Sequence, residues 1–393
     1  MARPVFLSYA WDDEDLASRL ETQLRLRGVP VWRDRRGMRW GGYNEELVLE
    51  AIEQRCSGFI LLLTGAALDS DFICDIEVPA MARRRSADPA FFAGAVVCHE
   101  GGIREATRLL RERTVVDLSS ELGSQLSDED LANDTQRAAS AVLRSYLRAE
   151  LDQGATAHAH IETRSLVPDE ELATLHLSWS PPLANDLDGL GDEIWTDDLL
   201  PALADIRAAL EEIGVHRTLV VSGRPHLSAA LALAYEFRAP TGWTLSLRAN
   251  GDEVTTKREN ADTDGWTTIR EPSSSGADHR LVLCLHATRD VTRAMQEHCR
   301  TLPTARVTIH VRPLAGPGHM SVDMRTVNGV CAAIEAAITE ARTRYGVQET
   351  HLYLACPWLM AAVLGWQLSS IGRIVCHEPD VGRSSYRAAC QLS

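Results

Sequence analysis

The stretch Ser70-Asp71-Phe72-Ile73-Cys74-Asp75-Ile76-Glu77 carries the residue types that most need a chemical explanation, and it runs on through Val78-Pro79-Ala80-Met81-Ala82 into Arg83-Arg84-Arg85. Ser70 is a good N-cap and Asp71 falls in the first turn, where the positive helix end favours an acid, so a helix is expected. Helical spacing puts Ile73, Cys74, Glu77, Ala80 and Met81 on one stripe. A carboxylate inside an apolar stripe is unfavourable unless something compensates its desolvation. The helix dipole accounts for Asp71 but poorly for Glu77, nearly two turns in. Glu77 is therefore the first functional candidate, weighed against a purely structural carboxylate. Pro79 removes a backbone donor within the helix and predicts a kink beside it.

The elements that must position Glu77 lie around it. Val5-Phe6-Leu7-Ser8-Tyr9 reads as a short buried strand closed by Ala10-Trp11-Asp12-Asp13. From Asp13 to Arg27, Leu16, Ala17, Leu20 and Leu24 repeat at helical spacing until Gly28 stops the helix. A second strand, Val29 to Arg33, leads into a loop from Asp34 to Gly42. Four arginines between Arg33 and Arg39, with nearby glycines, predict that this loop is solvated and mobile. Tyr43 to Gln54 reads as an amphipathic helix and Phe59 to Leu63 as a fully apolar strand. After the Glu77 helix come a fourth strand from Ala90 to Cys98 and a fifth from Arg113 to Leu118. A closing helix from Ser127 to Leu151 opens on Ser127-x-x-Asp130, a capping-box pattern. Apolar strands alternating with helices mean a parallel sheet covered on both faces, with ligands bound beyond the carboxyl ends of its strands.

At 393 residues the chain is long enough for two domains with their own cores. A formal net charge of −15 argues against a DNA-binding or membrane-surface protein, though a local pocket for a small anion is compatible with it. The nine cysteines include no C-x-x-C pair and no Cys/His cluster at zinc spacing, so no metal is expected. Most, such as Cys98, Cys284 and Cys376, sit in apolar runs and read as buried free thiols of a reducing compartment. No signal-peptide core follows Met1, and no apolar run reaches the ~18 residues of a membrane span, so a cytoplasmic location is expected.

From Asp152 to Asp169 the composition turns polar, and 151–164 reads as a linker between a first domain, 1–150, and a second, 165–393. The second domain contains a duplication. Leu219-Val220-Val221-Ser222-Gly223-Arg224-Pro225-His226-Leu227-Ser228-Ala229-Ala230 reads as strand, tight turn and small-residue helix, followed by a strand from Trp243 to Leu247. His351-Leu352-Tyr353-Leu354-Ala355-Cys356-Pro357-Trp358-Leu359-Met360-Ala361-Ala362 repeats it, followed by a strand from Arg373 to Cys376. Pro225 superposes on Pro357, and Ala229-Ala230 on Ala361-Ala362, at one offset. Two Rossmann-like halves facing each other are expected, their turns lining a shared cleft. Between them run strands at Leu281–His286 and Ala305–Arg312 and a long helix from about Thr326 to Tyr345. Helix starts after both turns suit phosphate, and Arg224, His226, His310, Arg312 and Trp358 offer charge and stacking. Packing beneath the sheet is the competing reading for Trp358, and a satisfied strand residue that for His310.

Phe6-Leu7-Ser8-Tyr9, then Val31-Trp32-Arg33-Asp34 with Gly41, then Ser70…Cys74-x-x-Glu77 resemble, in order, the three landmark segments of a TIR domain over roughly 1–150. The resemblance implies a flavodoxin-like fold and cleavage of NAD+ between ribose and nicotinamide. It puts the catalytic role on Glu77 and the ribose and nicotinamide surroundings on Ser8, Tyr9, Asp34 and Trp40. Ile73 stands where an aromatic often precedes the cysteine. Without a G-x-G-x-x-G, NAD+ fits as a consumed substrate rather than a cofactor. The duplicated turn and the His351–Pro357 segment resemble a SAVED domain, a fused pair of CARF-like Rossmann units, over roughly 165–393. That resemblance implies a cyclic-oligonucleotide activator, most simply a cyclic tri-adenylate, in CBASS anti-phage defence. By it, Ser222, Gly223, Arg224, His226, His310, Arg312, Cys356, Pro357 and Trp358 fall in the ligand cleft. Head-to-tail assembly into oligomers or filaments would complete the TIR sites. The competing readings are a non-catalytic TIR scaffold, separable by a nicotinamide-release assay, and a nucleoside or nucleotide N-glycosidase, which would need no activator.

Overall fold

The computed structural model describes residues 2–33, 45–119, 122–127, 129–163, 173–180, 193–249, 252–256, 262–273, 278–318, 324–369, 371–380 and 385–393. The chain divides into two compact units: Met1–His160 with Glu170–Ser178 and Asp205–His216, and Ile161–Asp169 with Trp179–Ala204 and Arg217–Ser393. Among the described residues no helix is long and apolar enough to cross a membrane.

In the first unit, β1 (Val5–Ser8), β2 (Val31–Trp32), β3 (Gly58–Leu63), β4 (Phe92–Val97) and β5 (Leu122–Gln125) form one sheet of order β2-β1-β3-β4-β5. Every pairing in it is parallel. The order reverses between β1 and β3, which places the ligand crevice of such a sheet at their carboxyl ends. Trp32, Phe6 and Phe59 are register partners across three strands, and their rings stack at 4.8 Å and 5.3 Å. That row fixes β1 laterally, and Ser8 lies two residues on from Phe6, on the same face. The helices of this unit are α1 (Glu14–Leu26), α2 (Glu45–Glu50), α3 (Gly65–Asp69), α4 (Val78–Ala87), α5 (Gly102–Thr114) and α6 (Leu131–Glu150).

Four local expectations change. Arg113 closes α5 instead of opening a strand, because Ala106, Thr107 and Leu110 bury one helical face; Val115 then turns the chain at φ 65°, and the fifth strand begins at Leu122. Ser127 donates through N–H and O–H to Asp134 in place of a box with Asp130. Arg33 is not solvated: its side chain is 6% exposed and pairs with Glu14 at 3.0 Å and Glu21 at 2.7 Å. The rest of the arginine-rich loop lies outside the described residues. The stretch 151–164, read as a linker from its polarity, contains strand β6 (Ala157–Glu162), in which Ala157, Ala159 and Ile161 are buried between the histidines.

Beyond β7 (Leu175–Ser178), α7 (Leu200–Ile213) contributes Asp205 to the first unit. Arg27, 1% exposed, meets that carboxylate at 2.8 Å and also donates to Ser140 at 3.2 Å. This pair explains why 205–216 group with the first unit and not with the expected second domain.

The second unit realises the duplication. One copy is β8 (Thr218–Arg224), α8 (Leu227–Glu236) and β9 (Thr244–Ala249), with β10 (Asp252–Thr255) antiparallel to β9. The other lies in a six-stranded sheet of order β11-β13-β12-β14-β15-β16, built from β11 (Trp266–Pro272), β12 (Arg280–His286), β13 (Val307–Pro313), β14 (Glu349–Ala355), β15 (Arg373–Asp380) and β16 (Ser385–Leu392). Its helices are α9 (Thr292–Cys299), α10 (Met324–Tyr345) and α11 (Trp358–Gln367). The repeated helices α8 and α11 pack on each other: a Cβ on Gly365 would meet the Leu231 carbonyl oxygen at 2.4 Å. Trp366 Nε1 seals the pair by donating to the Trp243 carbonyl at 2.9 Å.

The Arg27–Asp205 pair yields an asymmetric prediction. Asp205→Ala strands a buried guanidinium and is expected to cost ~3–5 kcal/mol, whereas Arg27→Met removes the buried charge, keeps an apolar stem and costs less. Urea unfolding of both variants measures this, and equal losses would contradict it.

Candidate functional site

Ser8 is the last residue of β1 and is buried, and its hydroxyl donates to Glu77 Oε2 at 2.5 Å. Glu77 is 7% exposed. Its whole stripe is buried as the sequence predicts: Ile73, Cys74, Ala80 and Met81 are each 3% exposed or less. Ser70 Oγ accepts the Ile73 N–H at 3.4 Å, which starts the helix where expected. The winding is irregular just before Pro79. Ile73–Glu77 winds as a π turn, Val78 N–H closes it on the Ile73 carbonyl, and Pro79, which has no N–H to donate, comes directly after that bond as the chain continues into α4. A buried carboxylate thus sits at the carboxyl end of β1, placed to stabilise positive charge in a low-dielectric surround.

Tyr9 follows directly. Its hydroxyl donates to Glu14 at 2.7 Å, and the Arg33 guanidinium lies 5.3 Å from its ring centroid. Asp34 and Trp40 lie outside the described residues. At the end of β3, Thr64 donates to Asp13 at 2.6 Å and accepts the Ala67 N–H, capping α3. Burial raises the Asp13 carboxyl above its ordinary range, and the Thr64 bond opposes the rise. The sequence reading missed this Asp13–Thr64 tie between the ends of β1 and β3. Its only signal was an acid and a threonine each just past a strand.

In the second unit, Ser222 is buried near the end of β8 and Arg224 is exposed. Gly223 adopts φ 118°, and a Cβ there would meet the Ile161 carbonyl oxygen at 2.1 Å, so only glycine fits. His226 is the N-cap residue of α8, and its N–H is accepted by Thr163 Oγ1 at 2.8 Å. The start of α8 already faces an anion. Ser228 donates to the Glu378 carboxylate through O–H and, at 3.3 Å, through N–H, and His226 Nδ1 lies 4.0 Å from the same group. Glu378 comes from β15, so the first turn is bound to the second repeat by a residue the sequence reading did not single out. Cys356 is buried, while Pro357 and Trp358, which begin α11, are half-buried.

His310 is buried on β13 with its Nδ1 2.9 Å from His286 Nε2, while Arg312, two residues on, is exposed. Cys284 completes this group, and the ligating atoms of the three lie within 4.8 Å of one another. The expectation of no Cys/His cluster read spacing along the chain; neighbouring strands bring together residues 24 apart. The same face carries His351, whose Nε2 meets Glu349 at 2.8 Å and whose Nδ1 meets His377 at 2.8 Å. Burial pushes His286, His298, His310 and His351 below the usual imidazole range, and His377 down to about 2. Strand alternation at Cys284, His286 and at His351, Tyr353 was the available signal.

Comparison with known families matches the TIR domain over residues 5–132. It matches SAVED, the SMODS-associated and fused to various effectors sensor domain, over residues 202–392. No curated protein matches the chain. Among solved structures the chain is similar to the Acinetobacter baumannii Cap4 SAVED/CARF-domain containing receptor with the cyclic trinucleotide 2'3'3'-cAAA, at 14% identity over 88% of this chain and 84% of that one, TM-score 0.49. The same receptor with 3'3'3'-cAAA gives 15% identity, 85% and 80% coverage and a TM-score of 0.48. The Moraxella osloensis Cap4 SAVED/CARF-domain containing receptor gives 13% identity, 88% and 83% coverage and a TM-score of 0.46.

The Ser8–Glu77 contact is testable by stability alone. Ser8→Ala is expected to cost ~1–3 kcal/mol, because a buried carboxylate loses a donor. In a double-mutant cycle with Glu77→Gln, the coupling energy should be of order 1 kcal/mol or more. Additive losses would show that the contact carries no energy.

Proposed function

We propose that this chain, a TIR domain over residues 5–132 joined to a SAVED domain over residues 202–392, is an NAD+ glycohydrolase switched on by a cyclic oligonucleotide. In this reading it is a CBASS antiviral effector that releases nicotinamide and ADP-ribose. The observation that carries the reading is the buried Glu77 carboxylate held by Ser8 at the carboxyl end of β1.

The chemistry needs one carboxylate. Nicotinamide in NAD+ is already cationic, so it departs as a neutral base and requires no general acid. The electron pair of the C–N bond leaves with it, and the ribose becomes oxocarbenium-like. Glu77 stabilises that charge and holds the ribose hydroxyls, and water then adds to the anomeric carbon and gives up a proton. Ser8 orients the carboxylate. Tyr9, Asp34 and Trp40 are assigned to the substrate surroundings.

On the sensor side, Ser222, Gly223, Arg224 and His226 of the first turn, Cys356, Pro357 and Trp358 of the second, and Arg312 are assigned to the cyclic oligonucleotide. His310, buried against His286, is left out of that set. Glu378 stands where a ligand phosphate would meet the start of α8. It therefore competes with phosphate for the Ser228 donors. Activity is further assigned to a head-to-tail assembly of chains, since contact between unlike surfaces repeats.

The test is nicotinamide release by the full chain with NAD+ and a panel of cyclic di-, tri- and tetranucleotides, the cyclic tri-adenylates first. Release only with ligand, rising more steeply than linearly with protein concentration and accompanied by increased light scattering, is expected. Release without ligand would favour an N-glycosidase, none with any ligand a scaffold, and full activity of monomers would exclude assembly. Arg224→Glu is expected to weaken ligand binding by about tenfold or more, and Glu378→Gln to tighten it. Unchanged affinity in both would remove the first turn from the ligand site.

A further inference from the structure

The six-stranded sheet holds a buried group that neither catalysis nor ligand binding uses. On parallel neighbours β12 and β13, Cys284 stands opposite His310, and His286 follows Cys284 by two residues, so alternation puts the three side chains on one face. All three residues are buried, and their ligating atoms lie within 4.8 Å of one another. The inner nitrogens, His286 Nε2 and His310 Nδ1, face each other at 2.9 Å. Each outer nitrogen faces a carboxylate: His286 Nδ1 is 3.4 Å from Asp290 Oδ1, and His310 Nε2 is 3.8 Å from Glu271 Oε2. Cys284 Sγ has no hydrogen-bond partner among the described residues, although the residue is fully buried.

We propose that Cys284, His286 and His310 bind a single zinc ion. One thiolate and two imidazoles are a donor set zinc takes, with three protein ligands leaving a fourth position for water. Carboxylates on the outer nitrogens of ligating histidines are the usual second shell of such a site, fixing tautomer and ring orientation. Tetrahedral zinc sets N and S ligand atoms roughly 3.3–3.7 Å apart, so the two imidazoles part by a few tenths of an ångström and the thiol closes in. A hydrogen-bonded histidine pair also accounts for the metal-free geometry: Val291 N–H is accepted by His286 Nδ1 at 3.1 Å, leaving the His286 Nε2–H to face His310. It leaves the buried thiol and the Glu271 carboxylate without a role, whereas Asp290 already accepts the Thr292 N–H at 2.7 Å.

The protons balance. When zinc enters, Cys284 gives its thiol proton to solvent. The His286 proton moves from Nε2 to Nδ1, where Asp290 accepts it, and the Val291 bond is given up. His310 keeps its proton on Nε2, toward Glu271, and needs no change of tautomer. The ion would clamp the carboxyl ends of β12 and β13 to each other.

The experiment uses the full chain. Purified without chelator and dialysed into metal-free buffer, it should retain about one zinc per chain by mass spectrometry. Chelator-stripped protein given Co2+ should develop a thiolate-to-cobalt charge-transfer band with tetrahedral d–d bands. Cys284→Ser should abolish the charge-transfer band. Glu271→Gln, at an exposed outer carboxylate, should weaken Co2+ affinity by roughly tenfold or more while leaving the melting of stripped protein unchanged, which keeps the test valid if the cysteine variant fails to fold. No charge-transfer band in the wild type, or an equal one in Cys284→Ser, would overturn the site and leave a hydrogen-bonded histidine pair.

Discussion

A carboxylate 7% exposed within an apolar layer needs hydrogen-bond donors to offset its desolvation, and Glu77 receives one from the Ser8 hydroxyl at 2.5 Å. The rest of the first unit can be followed from this contact. Ser8 reaches Glu77 only as the last residue of β1, and the aromatic row Trp32–Phe6–Phe59 holds that strand in register two residues earlier. Glu77 is the last residue of the π turn Ile73–Glu77, and Pro79, which lacks a donor, follows two residues later as α4 begins. The Thr64–Asp13 bond ties the neighbouring strand end to the same crevice.

The second unit solves a different problem, packing two copies of one strand–turn–helix against each other. Gly365 lets the helices approach backbone to backbone, and Trp366 donates across to Trp243. The duplication is not symmetric in charge. The first turn holds the Glu378 carboxylate on Ser228, so any anion arriving there meets an occupied helix start. The six-stranded sheet also gathers four buried histidines and the half-buried His298 on or against one face, and desolvation lowers the imidazole pKa of each.

Much of this was legible in the chain, for identifiable reasons. Glu77 stood out because it broke an apolar period, whereas Ser8 entered only through the resemblance of Phe6-Leu7-Ser8-Tyr9 to a TIR segment. The duplicated turn was visible because its prolines and alanine pairs superpose. Other features depend on neighbours far away in sequence. Arg113 read as strand because the β-branched pair Val115-Val116 follows it, yet Ala106 and Leu110 bury a helix face first. Ala157 to Glu162 read as linker because its histidines masked the small buried residues between them. Arg33 read as solvated with its arginine neighbours until Glu14 and Glu21 were seen to enclose it. Glu378 and the Cys284–His286–His310 group require strand register, which no linear spacing supplies.

The central claim is that Glu77 performs the chemistry in one unit while a cyclic oligonucleotide is read in the other. The most direct measurement compares wild type with Glu77→Gln, taking nicotinamide release at saturating activator and activator affinity on the same preparations. The account predicts that release falls by ~10²-fold or more, because the charge facing the oxocarbenium is gone, while affinity is unchanged. Near wild-type release from the activated Glu77→Gln chain would contradict it.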